Sequence, residues 1–431
     1  MVTRFLKSNR ILILILLLSL FLRLFRLDYP NAYVFDEVYH GFTAKEYLKG
    51  SKEAWEWWTT PPPGVAFEWT HPPLAKEAMT ASMFLVSSTD AWGWRLPGAI
   101  LGIISVFLVY KIGERIFGKN TGLISAFIFS LDGLNFVQSR TGMNDIYLVT
   151  FSLASFLFLL NKRFFFSAIF LGFAFASKWS AAYLLGLNSI ILFYFFITGR
   201  FSLKEVAKAF LYILIFAPVI YLITYLPFFI LGHSTDQFIE LQKQIWWYHS
   251  NLKATHDYAS PAWSWPLNLY PVWYFVEYHK NGLISNIFAS GNPILFWLGV
   301  GAVLITVYDF ILTLRTKYTE HEYHKLHLNP RDKYLIILLG FFVFWLPWIF
   351  SPRIMFLYHY SPSVPFLSLS LGYQISLIKE QTNSKWLGII ILILILLGFL
   401  LVYPILTGIP LPKEIFVKFF DTNLAKNPFA P

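Results

Sequence analysis

Long apolar runs alternate with short polar breaks along most of the chain. Runs of roughly 17–25 residues are what a helix needs to cross a bilayer. They predict helices near residues 11–27, 92–110, 121–138, 146–160, 164–178, 181–198, 209–231, 293–314, 334–350, 362–378 and 386–406, eleven in all, with the chain ends on opposite sides. The pair at 146–160 and 164–178 is short and separated only by Asn161-Lys162-Arg163. The first run lacks a small-residue cleavage site and continues into Leu24-Phe25-Arg26-Leu27, so it reads as a retained helix and not a signal peptide. Two long polar intervals interrupt the series, at residues 28–91 and 232–292. Neither has the core pattern of an independent domain, and neither repeats nor flexible linkers divide the chain. The expectation is an all-α polytopic membrane protein: one domain over residues 1–431, about 11 transmembrane helices, and two long outer loops carrying short helices.

Composition narrows this further. The chain is 56% hydrophobic and only 13% charged, against about 25% charged in soluble domains. Aromatic residues reach 20%, with many Trp near the ends of apolar runs, where interfacial anchors sit. The net charge of +10 raises the question of a polyanion partner, and its distribution answers it. With the N-terminus inside, 18 Lys and Arg fall in the cytoplasmic segments, while the three short loops opposite hold one each: Arg140, Lys178 and Arg353. That asymmetry follows the positive-inside rule. The charge is therefore topology and not a nucleic-acid site. It predicts a multi-pass protein with a cytoplasmic N-terminus and both long intervals on the outer face; the expected location is the plasma (inner) membrane. With 0 Cys, disulfides and thiolate metal ligands are excluded.

Chemistry concentrates on that outer face. The first interval opens with Val34-Phe35-Asp36-Glu37-Val38-Tyr39-His40 and closes with His71-Pro72-Pro73-Leu74-Ala75-Lys76. Residues 36–48 suit a short helix that places Asp36, His40, Thr43 and Tyr47 on one face. The pattern fits a surface helix whose N-terminal acids favour the macrodipole. It fits equally an acid pair at an active site. Arg140, in Gln138-Ser139-Arg140-Thr141-Gly142-Met143-Asn144-Asp145, and Lys178, in Ser177-Lys178-Trp179, stand alone in very short outer loops, as does Arg353. Snorkelling to headgroups accounts for one such cation. Three at one depth, where ionisable groups are costly and usually functional, fit neutralisation of a lipid phosphate better, most of all for Arg140 and Lys178. In the second interval, Trp, Tyr and His cluster around His249, His256 and Asp257, as in a sugar site or an interfacial belt. The run Glu320–His327 lies on the opposite, basic side and reads as a solvated loop rather than a metal site.

Phe35-Asp36-Glu37-Val38-Tyr39 followed by His71-Pro72-Pro73-Leu74-Ala75-Lys76 resembles the first outer loop of protein O-mannosyltransferases. Gln138-Ser139-Arg140, Ser177-Lys178-Trp179, the stretch from Tyr248 to Pro266, Gly291-Asn292-Pro293 and Phe356-Leu357-Tyr358-His359-Tyr360 extend the resemblance over most of the chain. It implies a GT-C-type fold with eleven helices and inverting transfer of mannose from a polyprenyl (dolichyl-type) phosphate to Ser or Thr hydroxyls of secreted proteins. Asp36 would be the general base, supported by Glu37. Arg140 and Lys178, helped by Arg353 and His359, would hold the donor phosphate, while His40, His71, Asn144, Asp145, His249 and His256 would face sugar or acceptor. No metal-ligand set and no definite cofactor are implied, although a divalent cation is admitted, as is association with the secretion machinery. Eukaryotic members carry a β-trefoil insertion in the second outer loop; an interval of about sixty residues leaves no room for one, so the chain resembles the short prokaryotic form. Two other readings stay open: a related transferase acting on lipid A or an envelope glycan, and a lipid-sugar transporter or flippase. The second is disfavoured by halves that do not match.

Overall fold

A helix occupies each of the eleven apolar runs, but the helices begin, end and break where side chains cap them. The computed structural model describes residues 9–315, 328–382 and 386–419; the run Glu320–His327 lies outside them. The elements are α1 (Arg10–Leu24), α2 (His40–Leu48), α3 (Leu74–Leu85), α4 (Ala91–Phe117), α5 (Lys119–Ser130), α6 (Gly133–Arg140), α7 (Asp145–Leu160), α8 (Phe164–Ser177) and α9 (Ala182–Ile197). They continue with α10 (Leu203–Ile223), α11 (Leu226–Ile230), α12 (Thr235–Asn251), α13 (Pro293–Leu314), α14 (Pro330–Trp345), α15 (Val364–Thr382), α16 (Trp386–Thr407) and α17 (Lys413–Phe419). Among the described residues, 6 helices are long and apolar enough to cross a membrane, and up to 7 if the bent pair α6 and α7 counts as one span. The protein is a multi-pass membrane protein on this count, which falls short of eleven certified spans because several helices are shorter than expected.

The shifts have local causes. The helix expected from residue 209 starts at Leu203, because Ser202 and Glu205 form a reciprocal cap: the Ser202 N–H donates to the Glu205 carboxylate at 2.8 Å and the Ser202 hydroxyl accepts from the Glu205 N–H at 3.3 Å. Asn329 and Asp332 do the same for α14. The helix expected over 121–138 breaks after Ser130, where the Asp132 carboxylate accepts the N–H groups of Leu134 and Asn135 and so starts a new helix. A second break at residues 141–144 turns α6 into α7 by 115°. That turn brings Asp145 to the start of a buried helix.

The expectation of an all-α protein fails in the second outer interval. There β1 (Val272–Tyr278) and β2 (Leu283–Ala289) form an antiparallel hairpin, and β3 (Leu411–Pro412) adds to β2. Val-Trp-Tyr-Phe-Val-Glu-Tyr is rich in β-branched and aromatic residues that pair across strands, as Trp273 does with Phe288 at a ring separation of 5.9 Å. Gly282, at φ +75°, supplies the turn. The helix expected over 36–48 is also divided: Phe35–Val38 is a 3-10 turn, and α2 begins only at His40.

The two outer intervals fold together at one end of the helix bundle. Ala54 and Trp55 of the first share a buried cluster with Tyr225, Phe228, Leu241 and Ile245, which end the α10–α11 region and line α12. Tyr47 stacks on Trp55 at 4.1 Å, and the His249 imidazole bonds the Thr70 carbonyl at 2.8 Å. These contacts hold the acid-bearing loop and the His/Trp-rich loop against each other.

Candidate active site

Adjacent in sequence, Asp36 and Glu37 have opposite surroundings. Glu37 is fully buried and bound bidentately to Arg95 of α4, both contacts at 2.7 Å. Its oxygens also accept the N–H groups of Val34 at 2.9 Å and Gly142 at 2.8 Å. Arg95 completes its five donors on the carbonyls of Leu27, Pro30 and Ala32. Every polar valence of this buried pair is met, the condition under which a buried ion pair is tolerated. The knot ties the end of α1, the start of α4 and the α6–α7 turn to the acid loop. A Cβ on Gly142 would meet Glu37 Cγ at 3.2 Å, so glycine permits the approach.

Asp36 makes no side-chain hydrogen bond among the described residues, and its carboxyl is pushed up to about 7 by burial, then by the nearby Glu68 carboxylate, against the opposing pull of Lys178. Its neighbour Phe35 sits at φ +51°, a backbone conformation costly for a side chain of this size. Stacking of the Phe35 ring on Tyr274 of β1, 4.3 Å apart, and edge contact with Tyr358 at 6.1 Å hold it there. The unexpected hairpin therefore fixes the residue that presents Asp36.

Near Asp36 lies a polar layer whose central acid, Glu68, the sequence pattern did not single out. Glu68 is buried and accepts the Thr70 hydroxyl at 2.5 Å and the His71 N–H at 2.8 Å. Burial works to raise its pKa, but His40, Lys76 and these bonds outweigh it and hold the carboxyl below the usual range. Lys76, fully buried, donates to the carbonyls of His71 at 2.8 Å and Pro72 at 3.3 Å, closing the His-Pro-Pro turn. Burial lowers its pKa to about 8. His40, His71 and His249 form a column of imidazoles, with ring separations of 6.3 and 5.0 Å. Burial pushes His40 and His249 down to about 4, so both are neutral at physiological pH.

The isolated outer cations diverge. Arg140 is buried and donates to the carbonyls of Leu22, Arg23 and Arg26, capping the C-terminal end of α1. It does not line the cavity described next. Lys178 forms a buried 2.9 Å ion pair with Asp145 and lies 5.6 Å from the Tyr358 ring. Arg353 donates to His249 Nδ1, with no carboxylate partner among the described residues. Lys178, Arg353, His71, His249 and His359 converge on the polar end of a cavity of about 910 Å³. Its other wall is apolar, formed by Leu214, Ala217, Pro218 and Leu222 of α10 and by Leu171 and Phe175 of α8. Cations at one end and a bilayer-length helix along the other suit a phosphate-headed lipid.

The remaining expected residues flank this centre. His359 lines the cavity between Trp348 and Tyr358, at ring separations of 4.5 and 4.7 Å. Asn144 is buried beside Asp145 with both side-chain polar atoms unpartnered. His256 packs edge-on to Phe35 at 6.3 Å and accepts the Tyr258 N–H, away from the cavity wall. Among the described residues no group of three or more His, Asp or Glu is arranged to hold a metal ion.

Two family models match the chain. Residues 70–224 match the dolichyl-phosphate-mannose-protein mannosyltransferase model, and residues 234–420 match the C-terminal four-transmembrane region of protein-O-mannosyltransferase. A polyprenol-phosphate-mannose–protein mannosyltransferase of Mycobacterium tuberculosis is 24% identical over 429 residues, covering 80% of this chain and 78% of its own. A dolichyl-phosphate-mannose–protein mannosyltransferase of Schizosaccharomyces pombe is 29% identical over 178 residues, 39% of this chain and 19% of its own. In fold, the S. cerevisiae protein O-mannosyltransferase Pmt1-Pmt2 complex bound to the sugar donor is similar at TM-score 0.76 and 16% identity, with 96% of this chain and 92% of that one covered. ArnT from Cupriavidus metallidurans bound to undecaprenyl phosphate is similar at TM-score 0.58 and 13% identity, over 89% and 63% of the two chains. The chain belongs to the protein O-mannosyltransferase family and is a membrane glycosyltransferase.

Proposed function

We propose that the protein transfers mannose from a polyprenyl-phosphate donor to Ser or Thr hydroxyls of secreted proteins at the outer face of the membrane, with inversion. The observation that carries this reading is the contrast within the acid pair. Glu37 is saturated by Arg95, Val34 and Gly142, whereas the Asp36 carboxylate has no hydrogen bond among the described residues and is electrostatically coupled to Lys178. A hydroxyl is a poor nucleophile, and a positioned carboxylate that takes its proton contributes about 10²–10⁴-fold. Asp36 is that base, and a direct displacement driven by it inverts the anomeric carbon.

As the glycosyl bond breaks, negative charge grows on the leaving phosphate, where preorganised cations help most. Arg353 and Lys178 are the cations at the cavity, with the polyprenyl chain along α8 and α10. Arg140 belongs to the scaffold in this reading. The names of the curated relatives support the donor and the protein acceptor. Incubation of the purified protein with polyprenyl-phosphate-mannose and a Ser/Thr-rich peptide, read by mass spectrometry, tests it. Wild type should add a hexose, and Asp36→Asn should lose at least about 10²-fold in rate while inserting normally. Full activity in Asp36→Asn would remove Asp36 as the base.

A further inference from the structure

His249 is held from both sides. Its Nε2 lies 2.8 Å from the Thr70 carbonyl oxygen, and its Nδ1 faces Arg353 Nη1. A carbonyl can only accept and a guanidinium can only donate. The imidazole is therefore the Nε2–H tautomer, with the Nδ1 lone pair directed at Arg353. Stacking on His71 at 5.0 Å and contact with Trp179 at 6.5 Å fix the ring plane. Burial and the adjacent Arg353 charge both disfavour the imidazolium, consistent with this tautomer.

The choice of partner matters for the cation. Lys178 is already neutralised by Asp145, whereas Arg353 has no carboxylate within 4 Å among the described residues. A carboxylate at position 249 would aim the guanidinium equally well but cancel its charge. A neutral imidazole aims it and leaves the charge for an incoming anion. We propose that His249 is the positioning residue that holds the Arg353 guanidinium at the cavity, uncompensated, for the phosphate of the donor lipid. This rests on the reading of the cavity given above. The same imidazole ties the first outer interval, through Thr70, to the second and to the α14–α15 connection, so the phosphate contact forms only when the loops are docked.

Asparagine and glutamine separate the two bonds, because the amide of Asn reaches the place of Nδ1 and that of Gln the place of Nε2. Donor KM and kcat are measured for polyprenyl-phosphate-mannose in His249→Asn, His249→Gln, Arg353→Ala and the His249→Gln/Arg353→Ala double variant, with thermal melting as a check on folding. Loss of one charge-assisted contact should raise donor KM about tenfold or more in Arg353→Ala. His249→Gln should do the same, with any fall in kcat matching that of Arg353→Ala, and His249→Asn should recover most of that loss. The double variant should be no worse than Arg353→Ala alone. Multiplying penalties in the double variant, or a His249→Asn that is worse than His249→Gln, would overturn the inference and leave His249 as a direct substrate contact. An unchanged donor KM in Arg353→Ala would instead overturn the phosphate reading of the cavity, and this inference with it.

Discussion

Two carboxylates one residue apart differ here in everything but chemistry. Glu37 accepts from a closed set of four donors, whereas the Asp36 carboxyl is pushed up to about 7, chiefly by burial. A base of that pKa suits work at neutral pH. Transfer should therefore fall about tenfold per unit on the acid side of pH 7, as Asp36 protonates, measured as kcat/KM for donor between pH 5 and 9. The same shift bears on stability. The folded pKa lies above the ordinary 3.8, so the folded state gains its advantage from Asp36 below that value and loses it as pH rises through about 7. Asp36→Asn removes the cost of the buried charge. Its melting temperature should exceed wild type at pH 8 by a few degrees, with the gap narrowing at pH 5; equal melting at pH 8 would contradict the burial argument. The acid pair itself is legible in the sequence as a pair. Which member is free is not, because Arg95 lies 58 residues onward in an apolar run and nothing local marks it as the partner. Glu68 escaped notice for the same reason: its role comes from Thr70, His71 and the fold of His40 and Lys76 around it.

At the scale of elements, periodicity located the helices, and capping chemistry set their ends. Ser202 with Glu205 and Asn329 with Asp332 could be read as caps from sequence alone. The hairpin of β1 and β2 was hidden because its aromatic content resembles a membrane-interface belt. Arg140 shows how the fold engages an isolated cation in contacts that hydropathy does not reveal. Hydropathy places it at the depth of a phosphate ligand, yet the end of α1 claims it first, as a C-terminal helix end does with a cation. The carbonyls of Leu22 and Arg26 have second donors in the Tyr403 hydroxyl and the Tyr29 N–H, and among the described residues that of Arg23 does not. Arg140→Ala should thus cost about 1–3 kcal/mol for that stranded carbonyl and lower the melting temperature, while donor KM in the folded fraction stays unchanged. A raised donor KM with normal melting would return Arg140 to the phosphate.

Over the whole molecule, the function depends on all the outer elements meeting at one end. The acid loop, α12, the hairpin, the α6–α7 turn and the α14–α15 connection all contribute to the cavity or to the acid pair. That convergence is set by contacts between residues far apart in the chain, such as His249 with Thr70 and Arg353, which no local pattern reveals. The proposed sidedness, by contrast, rests on a distributed signal, the 18 cations against three. It leads to a direct test, because the chain has 0 Cys and any introduced thiol is the sole reporter. Lys253 and Asn281 are exposed in the second long interval, and Lys204 is exposed at the start of α10, which the charge count assigns to the opposite face. In intact cells, a membrane-impermeant maleimide should label Lys253→Cys and Asn281→Cys but reach Lys204→Cys only after permeabilisation. The reverse pattern would place Asp36 and the cavity at the cytoplasmic face. An outer-face acceptor would then be excluded, whatever the chemistry of the site.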